Sequence, residues 1–317
     1  MYIHLHGHSH YSLLEGIGKV PSILSKAKQL GYDTIGLTDY DGMYGVMEFI
    51  SKAKKSEIKP IVWIEIQYVN QLCVLNDIDQ YIVLIAKNYL GYQNLMKLTT
   101  YASTIGLTTN YPSNKYKKIP TIDLHALSKY AEGVIMLIGG NKSYLNMLLK
   151  NSESKDKIYE QIKIFKDIFS QDLYLELIAQ DNRKEPKVKD INQCVVEISD
   201  KYDIPMIVST NYHYINKDDK ESFEVAMAIK DSRQIGDHDR RRVWGDYFIT
   251  SPEDVREVLI SNGMSNKSIE ILFERNQEVA DKIDLQMPQV EWLFPNYNTP
   301  EKIKDIYSET EHDMIEI

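Results

Sequence analysis

Four of the eight histidines in this 317-residue chain fall within its first ten residues, as His4-Leu-His6-Gly-His8-Ser-His10. A His-x-His pair beside a carboxylate offers the nitrogen and oxygen donors that Zn²⁺, Mn²⁺ or Fe take, and the chemistry such a group supports is metal-assisted hydrolysis. Other isolated polar residues follow β-type runs: Asp39 after the second, Glu65 at the end of the third, and Asn211 and His213 after Pro205–Ser209. Alternation in an extended stretch puts His4, His6, His8 and His10 on one side. Of these, His6 and His8 are the metal candidates, His4 is expected to support its strand, and His10 to face solvent. His125, His238 and His312 read as ordinary histidines. No nucleophile elbow, Walker loop or dinucleotide fingerprint is present, and Ser9 and Ser12 beside histidines are weak grounds for acyl transfer.

Bringing those residues together requires strands and helices in alternation. Tyr2–Leu5, Asp33–Leu37, Pro60–Ile66, Leu72–Leu75, Tyr81–Ala86, Gly133–Ile138, Leu173–Leu177 and Pro205–Ser209 read as strands. Val20, Ile23, Leu24, Ala27 and Leu30 recur at helical spacing around Pro21 until Gly31 stops them, and helical patterns cover about 43–55, 92–98, 155–169 and 195–198. Residues 103–120 and 236–248 read as polar loops, the second carrying Asp239-Arg-Arg-Arg242, expected to be a solvated basic loop. The alternation predicts an α/β fold whose parallel sheet closes into a barrel, with the strand ends sharing one mouth. After about Asp284 the chain turns to Pro288, Phe294-Pro295 and Thr299-Pro300 and then to an acidic end. We therefore expect a domain over 1–285 and a linker over 286–317.

A hydrophobic content of 43% is enough for a core, and the net charge of −9 excludes a surface that binds nucleic acid by broad phosphate neutralisation. DNA contact would have to be local or supplied by a partner. Neither a secretory leader nor an apolar run of membrane-spanning length appears, so a cytoplasmic protein without membrane contact is expected. Cys73 and Cys194 lack metal or redox spacing and read as reduced core residues.

Several pieces recur in the order of one known family: His4-Leu-His-Gly-His-Ser-His-Tyr-Ser-Leu-Leu-Glu-Gly16, Leu37-Thr-Asp39, Lys59-Pro-Ile61, Glu65, Leu84-Ile-Ala-Lys-Asn88 with Gly91-Tyr-Gln-Asn-Leu95, Tyr174-Leu-Glu-Leu177 and Ser209-Thr-Asn-Tyr-His-Tyr214. They resemble the polymerase and histidinol phosphatase (PHP) domain, in the branch attached to bacterial DNA polymerase III alpha subunits, over about residues 2–285. The resemblance implies a distorted (β/α)7 barrel, TIM-barrel-like, with up to three metal ions at its mouth and hydrolysis of phosphate esters. In some polymerase-attached members that activity is a 3′-5′ exonuclease.

Carried over by position, the resemblance implies metal ligands at His6, His8, Glu15, Glu65 and His213, with Asp39 and Asn211 as weaker candidates. Four positions depart from the family pattern: Tyr40 and Tyr81 stand for histidines, Gly140 for Cys or His, and Asn211 for Asp. His6, His8 and Glu65 would still make most of one site. The second ion would keep only the shared Glu65, and the third only Glu15 and His213. A phenol with a pKa of about 10 is a poor ligand for Zn²⁺ or Mn²⁺ at neutral pH.

No catalytic residue is therefore assigned, and none or one divalent ion (Zn, Mn or Fe) is expected. The leading expectation is a PHP domain acting in DNA replication as a structural part of the alpha subunit. Its partners would be the palm, fingers and thumb of that subunit, the proofreading exonuclease subunit that it docks, and DNA through the holoenzyme. The alternative is an active metal-dependent 3′-5′ exonuclease or phosphoesterase. DNA-directed DNA polymerase (nucleotidyltransferase) chemistry would reside in a palm beyond these residues.

Overall fold

Every second residue of several strands enters one apolar cluster: Ile61 and Trp63, Val83 and Ile85, Ile135 and Leu137, with Tyr174 and Ile207, and Ile3 and Leu5 from the N-terminal segment. Period-two alternation puts such residues on one face of a sheet, and that face is the inside of a curled sheet. The computed structural model describes residues 2–72, 80–106, 119–140, 142–150 and 155–288. Among them β1 (Thr34–Leu37), β2 (Lys59–Val69), β3 (Tyr81–Ala86), β4 (Thr121–Asp123), β5 (Val134–Gly139), β6 (Leu173–Ile178) and β7 (Met206–Ser209) form a seven-stranded sheet. Its order is β1-β2-β3-β5-β6-β7, with β4 pairing with the later part of β2. The helices are α1 (Val20–Gln29), α2 (Val46–Lys55), α3 (Tyr89–Thr104), α4 (Leu124–Lys129), α5 (Tyr144–Lys150), α6 (Lys155–Phe169), α7 (Pro186–Tyr202), α8 (Lys220–Lys230), α9 (Pro252–Ser261) and α10 (Asn266–Asp281). This is an α/β fold of distorted barrel type.

The sheet is mixed, not parallel throughout. β3 runs antiparallel to both β2 and β5, because the eleven residues 70–80 between β2 and β3 are too few for the crossover helix that a parallel return needs. The reversal carries Tyr81, at the start of β3, to the same end of the sheet as Glu65, two residues away in register through the Gln67–Tyr81 pairing. β2 also outruns its expected end by three residues, so Glu65 lies inside the strand. It continues the interior row Ile61–Trp63–Glu65, which passes from apolar to charged toward the mouth. Tyr174–Glu176 makes the same change on β6, and Ile207–Ser209 passes from apolar to polar on β7.

The segment 2–8 is extended but not a regular strand, and it joins the two ends of the sheet. On one side Gly36 and Thr38 donate backbone N–H bonds to the carbonyls of His4 (2.7 Å) and Gly7 (2.8 Å); on the other His8 N–H donates to Tyr212 O at 2.7 Å. Where segment and β7 do not pair directly, a side chain from α10 bridges them. Asn276 Nδ2 donates to Ile3 O (2.9 Å) and Val208 O (2.7 Å), while its Oδ1 accepts from Val208 N–H at 3.0 Å. Val279, Ala280 and Ile283 of the same region pack into the interior cluster.

Gly7 has no room for a side chain, since a Cβ there would sit 2.0 Å from the Tyr212 ring. Tyr212 in turn donates to Gly36 O at 2.6 Å. Gly7→Ala is expected to cost about 1–3 kcal/mol, the usual range for overpacking a tight interior, read as a lower urea midpoint at unchanged slope. An unchanged midpoint would mean that Tyr212 moves aside freely.

Further differences from the sequence reading are local. A bend at His6 ends the alternation of the first residues, so His4 faces away from His6 and donates through Nε2 to Thr250 O at 2.9 Å. His10 is exposed, as are His125 and His238. Cys194 is free and only half-buried on α7, outside the core. Leu72 lies in a turn, while the rest of the expected strand to Leu75, Cys73, most of the 103–120 loop and His312 lie outside the described residues. The chain divides into two units, residues 1–285 and 286–317; of the second, 289–317 lie outside the described residues.

Candidate metal centre

At the mouth, Glu65 Oε2 lies 3.0 Å from His6 Nε2 and 3.1 Å from His8 Nε2. Among the described residues these three form the group whose ligand atoms all lie within 4.8 Å of one another. All three are buried.

The hydrogen bonds fix which nitrogen of each ring faces Glu65. Ser12 Oγ donates its one proton to Asp39 Oδ1 at 2.7 Å, so at its 3.2 Å contact with His8 Nδ1 it can only accept. Nδ1 of His8 therefore carries the proton, and Nε2 turns a lone pair toward the carboxylate. That buried nitrogen has no hydrogen-bond partner. A lone pair against a carboxylate oxygen calls for a cation between them, and this orphaned atom is the observation by which the donor set fits one divalent ion.

His6 is held from behind. Its Nδ1 lies 2.7 Å from Glu176 Oε1, which also accepts from Ser209 Oγ at 2.5 Å. A carboxylate behind a ligating histidine fixes ring orientation and raises ligand basicity. Burial alone would lower the His6 pKa, but the Glu176 and Glu65 carboxylates outweigh it and raise it to about 10. Burial keeps His8 below the ordinary histidine value against the pull of Glu65. Glu65, pushed up by burial, is drawn well below the carboxylate range by His6 and His8.

The remaining sequence candidates sit beside this group. Asp39 is spent on the loop that carries the histidines: it accepts from Ser9 N–H and Ser12 Oγ at one oxygen and from Ser9 Oγ at the other. His213 donates through Nδ1 to Glu15 O at 2.5 Å, and its ring stacks on His8 with centroids 4.4 Å apart. Tyr40 stacks on His8 at 4.2 Å. Asn211 adopts a left-handed backbone with φ of 49° and lines the mouth pocket with its Oδ1 unpartnered. Gly140 brings no side chain, and a Cβ there would lie 3.5 Å from Glu176 Oε2.

Glu15 is engaged by protein cations. Lys142 Nζ lies 2.8 Å from its Oε1, Lys230 Nζ 2.9 Å from its Oε2, and Arg241 Nη1 3.4 Å from Oε1. Burial alone would raise the Glu15 pKa, yet Lys142 and Lys230 hold it well below the usual range. The 236–248 loop is thus not a solvated basic patch. Arg241 pairs with Asp231 and reaches Glu15, Arg240 pairs with Glu224 at 2.8 Å, and Arg242 is exposed with no such pair among the described residues.

Sequence reasoning missed Glu176, Lys142, Lys230 and Arg241 as parts of the mouth. Glu176 left one signal, a single charge inside the apolar run Leu173-Tyr-Leu-Glu-Leu-Ile178. The cations left none, because they reach Glu15 across separations that only the fold closes.

Residues 4–180 match the family model described as the PHP domain. The chain belongs to the PHP domain family. Its curated relatives include DNA polymerase III subunit alpha of Borreliella burgdorferi, 31% identical over 99% of this chain and 26% of that protein. The subunit of the same name from Aquifex aeolicus is 35% identical over 74% of the chain and 20% of its own length. That of Thermus aquaticus is 27% identical over 95% and 24% respectively. The chain thus spans about a quarter or less of the length of these relatives. Among its described residues no helix is long and apolar enough to cross a membrane.

Proposed function

We propose that this chain is the N-terminal PHP domain of a DNA polymerase III alpha subunit and acts in DNA replication as a structural and docking element. Residues 286–317 are then the linker toward the palm, and the partners are the remainder of the alpha subunit, the proofreading exonuclease subunit and, through the assembled holoenzyme, DNA. The setting is the cytoplasm. Similarity to alpha subunits along 99% of the chain supports the assignment to replication.

The observation that carries the non-catalytic reading is the engagement of both Glu15 oxygens by Lys142, Lys230 and Arg241. One ion, held by His6, His8 and Glu65 with Asn211 as a weak neighbour, would polarise a phosphoryl oxygen. Hydrolysis by a cluster needs further ions to clamp attacking and leaving oxygens. Here Glu15 is committed, Tyr40 and Tyr81 replace imidazoles and Gly140 offers no donor, so the residues do not fit a second or third ion. The convergence of His6, His8 and Glu65 favours the second reading, an active metal-dependent 3′-5′ exonuclease or phosphoesterase. It falls behind because those three residues alone supply a single site.

The test joins binding to turnover. The expected result is a measurable complex with the proofreading exonuclease subunit, and no hydrolysis of single-stranded DNA or small phosphate esters with Zn²⁺, Mn²⁺ or Fe²⁺ present. No complex together with robust turnover that His8→Ala abolishes would overturn it in favour of the hydrolase.

A further inference from the structure

We propose that Lys142 is a tethered cation standing in for the further ions of the barrel mouth, so that Glu15 is neutralised by the protein itself. This rests on the reading of the mouth as a site for one ion at most. The backbone sets Lys142 in place: its carbonyl accepts from Tyr81 N–H at 2.8 Å, and Ser143 pairs with Tyr81 in a parallel bridge. From there the ammonium reaches Glu15 at 2.8 Å and lies 4.4 Å from the centroid of the Tyr40 ring and 6.0 Å from that of Tyr81.

The two tyrosines that replace imidazoles therefore present to Lys142 the ring faces that attract a cation, while a divalent ion would find no basic donor in them. Substitutions that look like separate losses form one compensated unit. A carboxylate that is only 8% exposed must be paired. Here the pairs come from three parts of the chain: the turn after β5, the last residue of α8, and the loop beyond it. His213 keeps its Nε2 free of the proton that Nδ1 gives to Glu15 O. With Lys142 removed, Glu15 Oε1 keeps only the 3.4 Å contact with Arg241 while Lys230 stays on Oε2, so one lightly held carboxylate oxygen is opened to a metal ion.

The experiment uses the full 317-residue chain and the variants Lys142→Met, Glu15→Gln and their combination, melted in EDTA and in millimolar Mn²⁺, with bound Mn²⁺ counted. In EDTA the double-mutant cycle should show coupling between Lys142 and Glu15 above about tenfold in the folding equilibrium, beyond what exposed ion pairs give. Mn²⁺ should raise the melting temperature of Lys142→Met by more than that of the unaltered chain, and the excess should vanish in the combined variant. If Lys142→Met does not fold in EDTA, the combined variant should, and its failure to fold would count against the proposal. Two or more Mn²⁺ per unaltered chain would sink the one-ion reading itself. At most one Mn²⁺, with no coupling or with no extra metal response in Lys142→Met, would sink only the role given to Lys142.

Discussion

Asn276→Ala is expected to destabilise the domain by about 3–4 kcal/mol, because three backbone groups lose their partner at once and a stranded buried group costs about 1–3 kcal/mol. The amide spans the place where the N-terminal segment and β7 do not pair, satisfying Ile3 O, Val208 O and Val208 N–H from one fully buried side chain. Asn276→Leu keeps the branched heavy-atom shape and still strands all three groups, so it should lose at least nearly as much. Denaturation in urea reads the loss as a lower midpoint at constant slope. Losses under about 1 kcal/mol in both variants would show that water or a local shift replaces the amide, and that the segment carrying His6 and His8 is not anchored by α10.

Glu176→Gln should cost about 3–5 kcal/mol near neutral pH, the range for removing one charge from a buried ion pair. The amide oxygen can still accept from Ser209 and His6, so the loss comes from the charge and not from the shape. The sign with pH follows from His6, whose pKa is raised in the folded chain to about 10. A raised base contributes its full stabilisation below the unfolded value of about 6.5 and loses it as pH climbs through 10. The stability gap between the two proteins should therefore narrow toward alkaline pH, and the His6 ring resonance should titrate at lower pH in the variant. Equal stabilities at neutral pH with unchanged His6 titration would remove Glu176 from the account. Loss of the carboxylate behind a ligating histidine should also weaken Zn²⁺ binding by about 10–100-fold, measured against a competing chelator.

Local residue patterns made much of the barrel readable. Pro21 with Val20, Ile23, Leu24 and Ala27 marks α1 as the structure has it, and the apolar runs at 81–86, 133–138 and 173–177 are strands within a residue. The sequence patterns left α8 to α10 unassigned, although Ser251-Pro-Glu-Asp254 opens α9 with a capping box. The direction of β3 was less legible, since periodicity carries no sign. Length did hold the clue, in a connection too short for a helix. At the mouth, His6, His8 and Glu65 stood out as polar residues at strand ends. Asn276, Glu176 and Lys142 did not, because each works through partners about 30 to 270 residues away, as with Asn276 and Ile3 or Glu176 and Ser209. The Asp239–Arg242 run misled because its charges looked free until the fold brought Glu224, Asp231 and Glu15 to them, 16, 10 and 226 residues away.

On the function proposed above, the mouth holds one ion at most, with protein cations where others would sit. Elemental analysis of the purified chain after incubation with Zn²⁺, Mn²⁺ and Fe²⁺ tests it most directly. None or one ion per chain is expected, and any ion found should be lost in His8→Ala and Glu65→Gln. Two or more ions per chain, with Glu15→Gln removing one of them, would contradict it.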